Sequence, residues 1–140
     1  MNIHASCVAR EGMGVLLTGP AGSGKSDLLL RLLSRGFALV ADDRVEIFGL
    51  LARPVPALAG LLEVRELGIV RLPYMPEARL VLAVELTAAT TRLPEPARHQ
   101  LLDIPLLRLD PNLISAPERV ALALDCILGR TEQLAGAFAA

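Results

Sequence analysis

Residues 19–26 are the part of the sequence whose residue types and spacing most clearly predict chemistry. They fit the pattern G-x-x-x-x-G-K-[ST], in which a glycine-rich backbone surrounds the phosphates of a nucleoside triphosphate. Lys25 is expected to reach the β- and γ-phosphate oxygens, and the Ser26 hydroxyl to coordinate Mg²⁺. An ordinary glycine turn is the alternative interpretation. The predicted phosphate-binding residues are Gly19, Pro20, Ala21, Gly22, Ser23, Gly24, Lys25 and Ser26.

A pair of adjacent carboxylates, Asp42 and Asp43, follows the apolar run 37–41. A hydrophobic strand that delivers a carboxylate after a phosphate-loop helix is the Walker B arrangement, which in the common parallel topology lies beside the strand that feeds the loop. One carboxylate can lie near the metal while the other acts as general base toward an acceptor hydroxyl. A solvated Asp-Asp turn is the alternative.

The segments around the loop predict the strand, turn and helix that would position it. Residues 15–18 form a short apolar strand, and residues 27–36 a largely buried helix that ends at Gly36. An earlier strand, residues 3–9, is expected to pair with 15–18 as an antiparallel hairpin. The hairpin would bring His4 near the phosphates, although a lone histidine on a strand is more often structural.

Later segments supply the rest of the predicted domain. Glu63 and Arg65, two residues apart, share one face of an extended chain. Residues 79–86 have the pattern of a central strand, and residues 104–109 that of an edge strand. Ser115 and Glu118 predict a capping box at the start of a last helix.

The composition limits the classes of function. The 140 residues are long enough for one domain with a real core, and the single domain is expected to span residues 1–140. Apolar residues make up 53% but aromatic residues only 3%, so the aliphatic surplus predicts a homo-oligomer. A net charge of −1 without a basic cluster argues against nucleic-acid binding. No membrane-length apolar run or secretory signal is found, which predicts a cytoplasmic protein whose Cys7 and Cys126 are buried thiols.

These motifs together resemble the catalytic domain of HPr kinase/phosphorylase, which acts on a seryl side chain of the phosphocarrier protein HPr. The resemblance rests on Ile3-His4-Ala5, the loop 19–26, residues 39–45 and residues 62–69. The loop is shared by many families, whereas the other three segments in this order are much more specific.

The resemblance implies roles for individual residues. Asp42 would be the general base in the kinase direction and, when protonated, the general acid in the reverse direction. Asp43 and Glu63 would join Ser26 at the metal, and His4 and Arg65 would lie in the active site. Arg92 corresponds to an arginine of a mobile loop near the transferred phosphate. The family further implies ATP and Mg²⁺, a hexamer, and HPr or a paralogue as partner.

Three features depart from the family pattern. Glu66 stands where the family usually has glycine, and residues 109–113 replace a Pro-Gly-Arg-Asn-like stretch. The resemblance also covers only the catalytic domain, as in short forms that lack an N-terminal regulatory domain. These departures weaken what the resemblance implies about the turn after Arg65, HPr docking and the phosphorylase activity.

The sequence therefore predicts an α/β phosphate-loop kinase domain with a mixed sheet, an antiparallel hairpin before the loop, and few helices. The expected function is an ATP-dependent HPr serine kinase with a regulatory role in a phosphotransferase system. Another phosphate-loop kinase that acts on a small molecule is one alternative. A nucleotide-binding regulatory subunit without catalysis is the other.

Overall fold

The computed structural model describes residues 1–139 and shows a strand-rich α/β domain. Within these residues the helices are α1 (Lys25–Leu33) and α2 (Ala116–Ile127), with a short 3₁₀ turn at Pro56–Leu58. The strands are β1 (Asn2–His4), β2 (Ser6–Arg10), β3 (Met13–Thr18), β4 (Ala38–Ala41), β5 (Arg44–Phe48), β6 (Leu51–Pro54), β7 (Leu61–Val64), β8 (Gly68–Arg71), β9 (Ala78–Leu86), β10 (Ala97–Arg98) and β11 (Pro105–Leu109). None of the helices described here has the length and apolar character needed to cross a membrane.

The main sheet is mixed, as the sequence predicts. Its strand order is β1-β5-β6-β9-β3-β2-β4, and β11 also pairs with β9 while β10 pairs with β11. β9 is the predicted central strand and runs parallel to β3 and β11. The other pairings, including the predicted β2–β3 hairpin, are antiparallel. β7 and β8 form a separate two-stranded ribbon.

The main sheet curls strongly, which follows from the position of its first two strands. β1 lies at one edge, whereas β2 is next to the opposite edge, and only Ala5 separates them in the chain. The two ends of the sheet must therefore approach each other around Ala5. One core cluster fills the inside of the curl and is rich in small residues, including Ala5, Cys7 and Ala9.

A second core cluster covers the opposite face of the sheet, where the helices pack. It contains Leu28, Leu29 and Leu32 of α1 and Val8, Val15 and Leu17 of the hairpin, among other residues. All of these side chains are fully buried. Burial of a leucine side chain contributes roughly 1.5–3 kcal/mol, so α1 is fixed firmly beneath the loop that precedes it.

Two predictions about the strands near the loop are wrong. Residues 3–9 do not form one strand, because the chain changes partners at Ala5: β1 pairs with β5, whereas β2 pairs with β3 and β4 near the opposite end of the strand order. His4 consequently lies opposite Arg44 rather than on the hairpin. β4 pairs with β2 instead of β3, so β2 separates the strand that precedes Asp42 from the strand that feeds the loop.

The predicted capping box at the start of α2 is also wrong. Ser115 precedes the helix but its hydroxyl makes no capping hydrogen bond, and it instead accepts a hydrogen bond from Arg119 Nε at 2.9 Å. Pro117 occupies an early helical position and has no N–H to offer a capping oxygen. Glu118 pairs with Arg35 of the segment after α1.

Candidate active site

A cleft of about 470 Å³ opens where the loop between β3 and α1 faces the β7–β8 ribbon. The residues that line it come from β1, β2, the loop, α1, the turn after β4, and the ribbon. They are His4, Ser6, Ala21, Gly22, Gly24, Lys25, Ser26, Asp27, Leu30, Asp43, Glu63, Val64 and Arg65. Most of the residues predicted from distant parts of the sequence are thus brought together.

The loop has a backbone that requires glycine at defined positions. Gly24 precedes α1 with φ 101°, in the left-handed region that residues with a side chain rarely adopt. A Cβ at Gly19, whose φ is 148°, would lie 2.6 Å from Ser23 Oγ. No side chain caps the start of α1, so the N–H groups of its first turn are free to face an anion.

Lys25 is the first residue of α1 and only 7% exposed. Its Nζ donates hydrogen bonds to the loop carbonyl oxygens of Gly19 at 2.7 Å and Pro20 at 3.0 Å. These two bonds hold the ammonium group over the loop, where a phosphate bound to the free N–H groups would meet it. An ammonium group has three donors, so one remains for such a phosphate.

Asp42 is half-buried and accepts hydrogen bonds from two serine hydroxyl groups. Ser26 Oγ donates to Asp42 Oδ1 at 2.9 Å and lies 3.1 Å from Oδ2. Ser6 Oγ donates to the same Oδ1 at 2.7 Å. Asp42 is therefore tied to the predicted metal ligand Ser26, although β2 separates their strands.

Asp43 has a different environment from its neighbour. Its side chain is 63% exposed and lines the cleft, and its Oδ1 lies 2.7 Å from Nε2 of His4. Its backbone φ is 68°, a left-handed conformation that is uncommon outside glycine. Unusual backbone conformations of this kind cluster at functional sites, where they fix the direction of a side chain.

The ribbon forms the opposite wall of the cleft. Glu63 and Arg65 both line the cleft, as their shared face predicts. The turn that follows places Glu66 at φ 70°, and Leu67 N donates to Val64 O at 3.0 Å. The family's preference for glycine at position 66 thus has a conformational reason in this chain, because glycine adopts a positive φ without steric cost.

Asp42 is not itself in the lining of the cleft but contacts the lining residues Ser6 and Ser26, whereas Arg92 lies at a different place. Arg92 lines a second cavity of about 240 Å³, formed by residues 90–94, β11, α2 and the segment after α2. In this conformation the guanidinium group is not part of the phosphate-loop cleft.

The donor set of the cleft fits a magnesium–nucleotide complex. Hydroxyl and carboxylate oxygens of Ser26, Asp42, Asp43 and Glu63 are hard ligands of the kind that Mg²⁺ prefers. Within residues 1–139 no group of three or more His, Cys, Asp or Glu side chains is arranged to hold a metal alone. Such a site suits Mg²⁺, which usually keeps several waters and binds through few carboxylates together with substrate phosphates. Ser23 Oγ, buried in the loop without a hydrogen-bond partner among residues 1–139, supplies a further polar group.

Ser6, Asp27, Leu30 and Val64 line the cleft without having been predicted as site residues, and Ser6 is the one that contacts a predicted carboxylate, Asp42. Ser6 is fully buried at the start of β2, among apolar neighbours. A serine next to the His4-Ala5 dipeptide was the available signal, but serine is too common in strands to predict a contact with Asp42 without the strand order.

Comparison with known proteins agrees with the fold. The sequence profile of the HPr Serine kinase C-terminal domain matches residues 1–91. HPr kinase/phosphorylase of Bordetella petrii is 36% identical over 129 residues, which cover 84% of this chain and 40% of that protein. HPr kinase/phosphorylase of Lacticaseibacillus casei BL23 is 42% identical over 74 residues, 49% of this chain and 23% of that protein. The chain therefore spans less than half the length of these relatives.

The fold is also shared with a solved structure, that of the Hpr(Ser) kinase/phosphatase from Coxiella burnetii. The two superpose with a TM-score of 0.78 and 24% sequence identity, over 93% of this chain and 98% of the other. The match to the family profile covers well over half of the chain and includes the loop, both aspartates, Glu63 and Arg65. This chain belongs to the HPr serine kinase C-terminal domain family.

Proposed function

We propose that this protein is an ATP-dependent kinase that phosphorylates a seryl hydroxyl of HPr or of an HPr paralogue. The observation that carries the proposal is the convergence on one cleft of the loop lysine, the Ser26–Asp42 contact and the exposed Asp43–His4 pair. Family membership supports the choice of HPr, because the relatives are named HPr kinase/phosphorylase.

The loop wall would bind the triphosphate. The free N–H groups at the start of α1 and the Lys25 ammonium would hold the β- and γ-phosphates. Ser26 and Asp42 would hold Mg²⁺, with Glu63 facing it from the ribbon. When bound, Mg²⁺ would neutralise charge that develops on the transferred phosphoryl group. Arg65 adds a second cation to the cleft from the opposite wall.

The contacts favour Asp43 over Asp42 as the general base. Both oxygens of Asp42 face the Ser26 hydroxyl, and one of them also accepts from Ser6. Asp43 is exposed to the cleft, and His4 occupies only one of its oxygens. The other oxygen of Asp43 is free to accept the seryl proton as the seryl oxygen attacks the γ-phosphorus and the bond to the β-phosphate oxygen breaks. In the reverse reaction with inorganic phosphate, protonated Asp43 would return that proton to the seryl oxygen.

Assembly and location follow as parts of the same proposal. Large parts of several apolar side chains are exposed, so we expect a homo-oligomer, with a hexamer as the family resemblance implies; these residues are Leu67, Ile69, Leu101, Ile114 and Leu134. The cytoplasmic location is proposed from the family resemblance alone. Light scattering across a concentration series should give a mass above that of the monomer. A monomeric mass throughout would exclude this assembly.

Transfer of label from ATP to HPr tests the function. The purified chain, γ-labelled ATP, Mg²⁺ and HPr should yield acid-stable phosphoserine on HPr, and HPr whose acceptor serine is replaced by alanine should stay unlabelled. Label on a small molecule alone would identify a different phosphate-loop kinase. Nucleotide binding without transfer to any acceptor would instead identify a regulatory subunit.

A further inference from the structure

Ser6 stands out as the buried hydroxyl on the helix-facing side of the hairpin. It shares its face of β2 with Val8, which packs in the core cluster beneath α1. Opposite it on β3 lies Leu17, which belongs to the same cluster. A polar group at such a position costs stability unless it is hydrogen-bonded, so the identity of its partner matters. The partner is Asp42 Oδ1 at 2.7 Å.

An irregularity in the sheet creates this contact. Val8 pairs with Leu39 and Ala9 with Ala38, but Cys7 pairs with Ala41, so Val40 is an extra residue in β4. Continuing the shifted register by one position places Asp42 opposite Ser6. Without the extra residue Ser6 would face Ala41 instead. Bulges next to functional sites commonly re-aim a side chain, and here the bulge sets the carboxylate between two hydroxyl groups.

The Asp42 carboxylate is therefore held from both sides. Ser6 contacts Oδ1 from the strand side, and Ser26 contacts both oxygens from α1. The hydrogen bond from Ser6 fixes the rotation of the Asp42 carboxylate about its Cβ–Cγ bond. The orientation of the carboxylate in turn fixes the direction in which the Ser26 hydroxyl donates. When the Ser26 hydroxyl donates its hydrogen bond to Asp42, the lone pairs of Ser26 Oγ are turned toward the cleft.

We propose that Ser6 is a positioning residue for the metal, acting through Asp42 on Ser26. This inference rests on the proposed function, because it assumes that Ser26 binds the divalent cation of a nucleotide complex. Outer-shell partners of this kind typically change metal affinity by about 10–100-fold when they are removed. Ser6 itself touches neither the nucleotide nor the metal in this account.

The test compares Ser6→Ala with Cys7→Ala in the intact chain. Cys7 is the next residue of β2, fully buried, and its side chain packs on the opposite face of the sheet. Each change removes one heavy atom from a fully buried position, so damage to strand packing would appear in both variants. The probe is Mn²⁺, titrated in the presence of a non-hydrolysable ATP analogue and followed by water proton relaxation. Binding of fluorescent ADP in the presence of a chelator measures the nucleotide affinity of the loop in the absence of metal.

Ser6→Ala should weaken Mn²⁺ binding about tenfold, with metal-free ADP affinity within about twofold of the unchanged protein. Cys7→Ala should leave both within that margin. Mn²⁺ affinity unchanged in Ser6→Ala would overturn the inference while leaving the proposed function intact. A parallel loss of Mn²⁺ and ADP affinity would also overturn it, since Ser6 would then support only the shape of the loop. If the unchanged protein binds neither the nucleotide nor Mn²⁺, the proposed function fails and the inference fails with it.

Discussion

The two walls of the cleft are built in opposite ways. The loop wall begins α1, whose Leu28, Leu29 and Leu32 are fully buried, and its lysine is held by the loop's own carbonyl oxygens. The ribbon wall is a separate two-stranded sheet in which Leu62 is the buried side chain and most others are exposed. Two-stranded ribbons are only marginally stable without support, and this one is supported where β7 packs against α1.

The site therefore has a rigid side, the loop wall, and an adjustable side, the ribbon wall. Core packing fixes the phosphate-binding groups before any ligand arrives, which is the preorganisation that phosphoryl transfer requires. Glu63 and Arg65 depend on a short exposed turn whose backbone is unfavourable at Glu66. We therefore expect substitutions in the loop wall to abolish activity and substitutions in the ribbon turn to tune it.

Lys25→Ala should have the largest effect. Lys25 is the only lysine in the sequence and the only cation within the loop, so its loss should reduce transfer on the order of 10³-fold and weaken ATP binding. Single-turnover transfer to HPr measures the first effect, and thermal unfolding confirms that the variant is folded. Near-normal turnover would show that the loop wall does not carry the reaction.

Asp43→Asn should be next, and Asp42→Asn is its matched control. The amide of Asp43→Asn keeps the shape but cannot accept a proton, so turnover should fall about 10²-fold, the lower end of general-base contributions, while the Mg²⁺ requirement stays unchanged. Asp42→Asn should mainly raise the Mg²⁺ concentration needed for half-maximal rate, because Asp42 contacts Ser26. The reverse pattern would restore Asp42 as the base, as the family resemblance implies.

Glu66→Gly should have a modest effect on the ribbon wall. Glycine adopts the positive φ without steric strain, which stabilises the folded state by about 1 kcal/mol. The greater flexibility of glycine in the unfolded chain partly offsets this gain. We expect higher kinase activity and a melting temperature raised by up to about 2–4 °C. Glu66→Gln separates the causes, since it removes the charge but keeps the strained backbone. An unchanged or lower rate in Glu66→Gly would mean that the turn does not need glycine.

Thiol reactivity should give the smallest response, and it reports on the core inside the curl of the sheet, on the face away from α1. Burial raises the pKa of the Cys7 thiol to about 12, so it stays protonated and unreactive at neutral pH. Cys126 was expected to be buried, but it is only half-buried at the second cavity. One thiol should react rapidly in the native protein and two after unfolding. Rapid reaction of both would show that the sheet under the loop opens readily.

The loop wall was predictable from the sequence because its information is local. One contiguous pattern specified Gly19 to Ser26, the strand before them and the helix after them. The hydrophobic run before Asp42 likewise identified β4. The predicted helix start at residue 27 was late by two residues, since Lys25 and Ser26 already belong to α1.

The remaining features depend on strand order, which residue patterns do not encode. The division of residues 3–9 at Ala5, the place of β4 beside β2, and the bulge at Val40 are all features of the strand order and register of the sheet. These features decide that Ser6 and Ser26 meet at Asp42 while His4 meets Asp43. The ribbon residues were placed at the site by family resemblance, because Glu63 and Arg65 alone look like an exposed charge pair.

A structure of the protein with Mg²⁺ and a non-hydrolysable ATP analogue tests the central claim most directly. We expect the γ-phosphate beside Lys25, Mg²⁺ on the side of Ser26 and Asp42, and the free oxygen of Asp43 facing the position of an incoming hydroxyl. A nucleotide bound outside this cleft, or Mg²⁺ on Asp43 with Asp42 turned toward the acceptor, would contradict it.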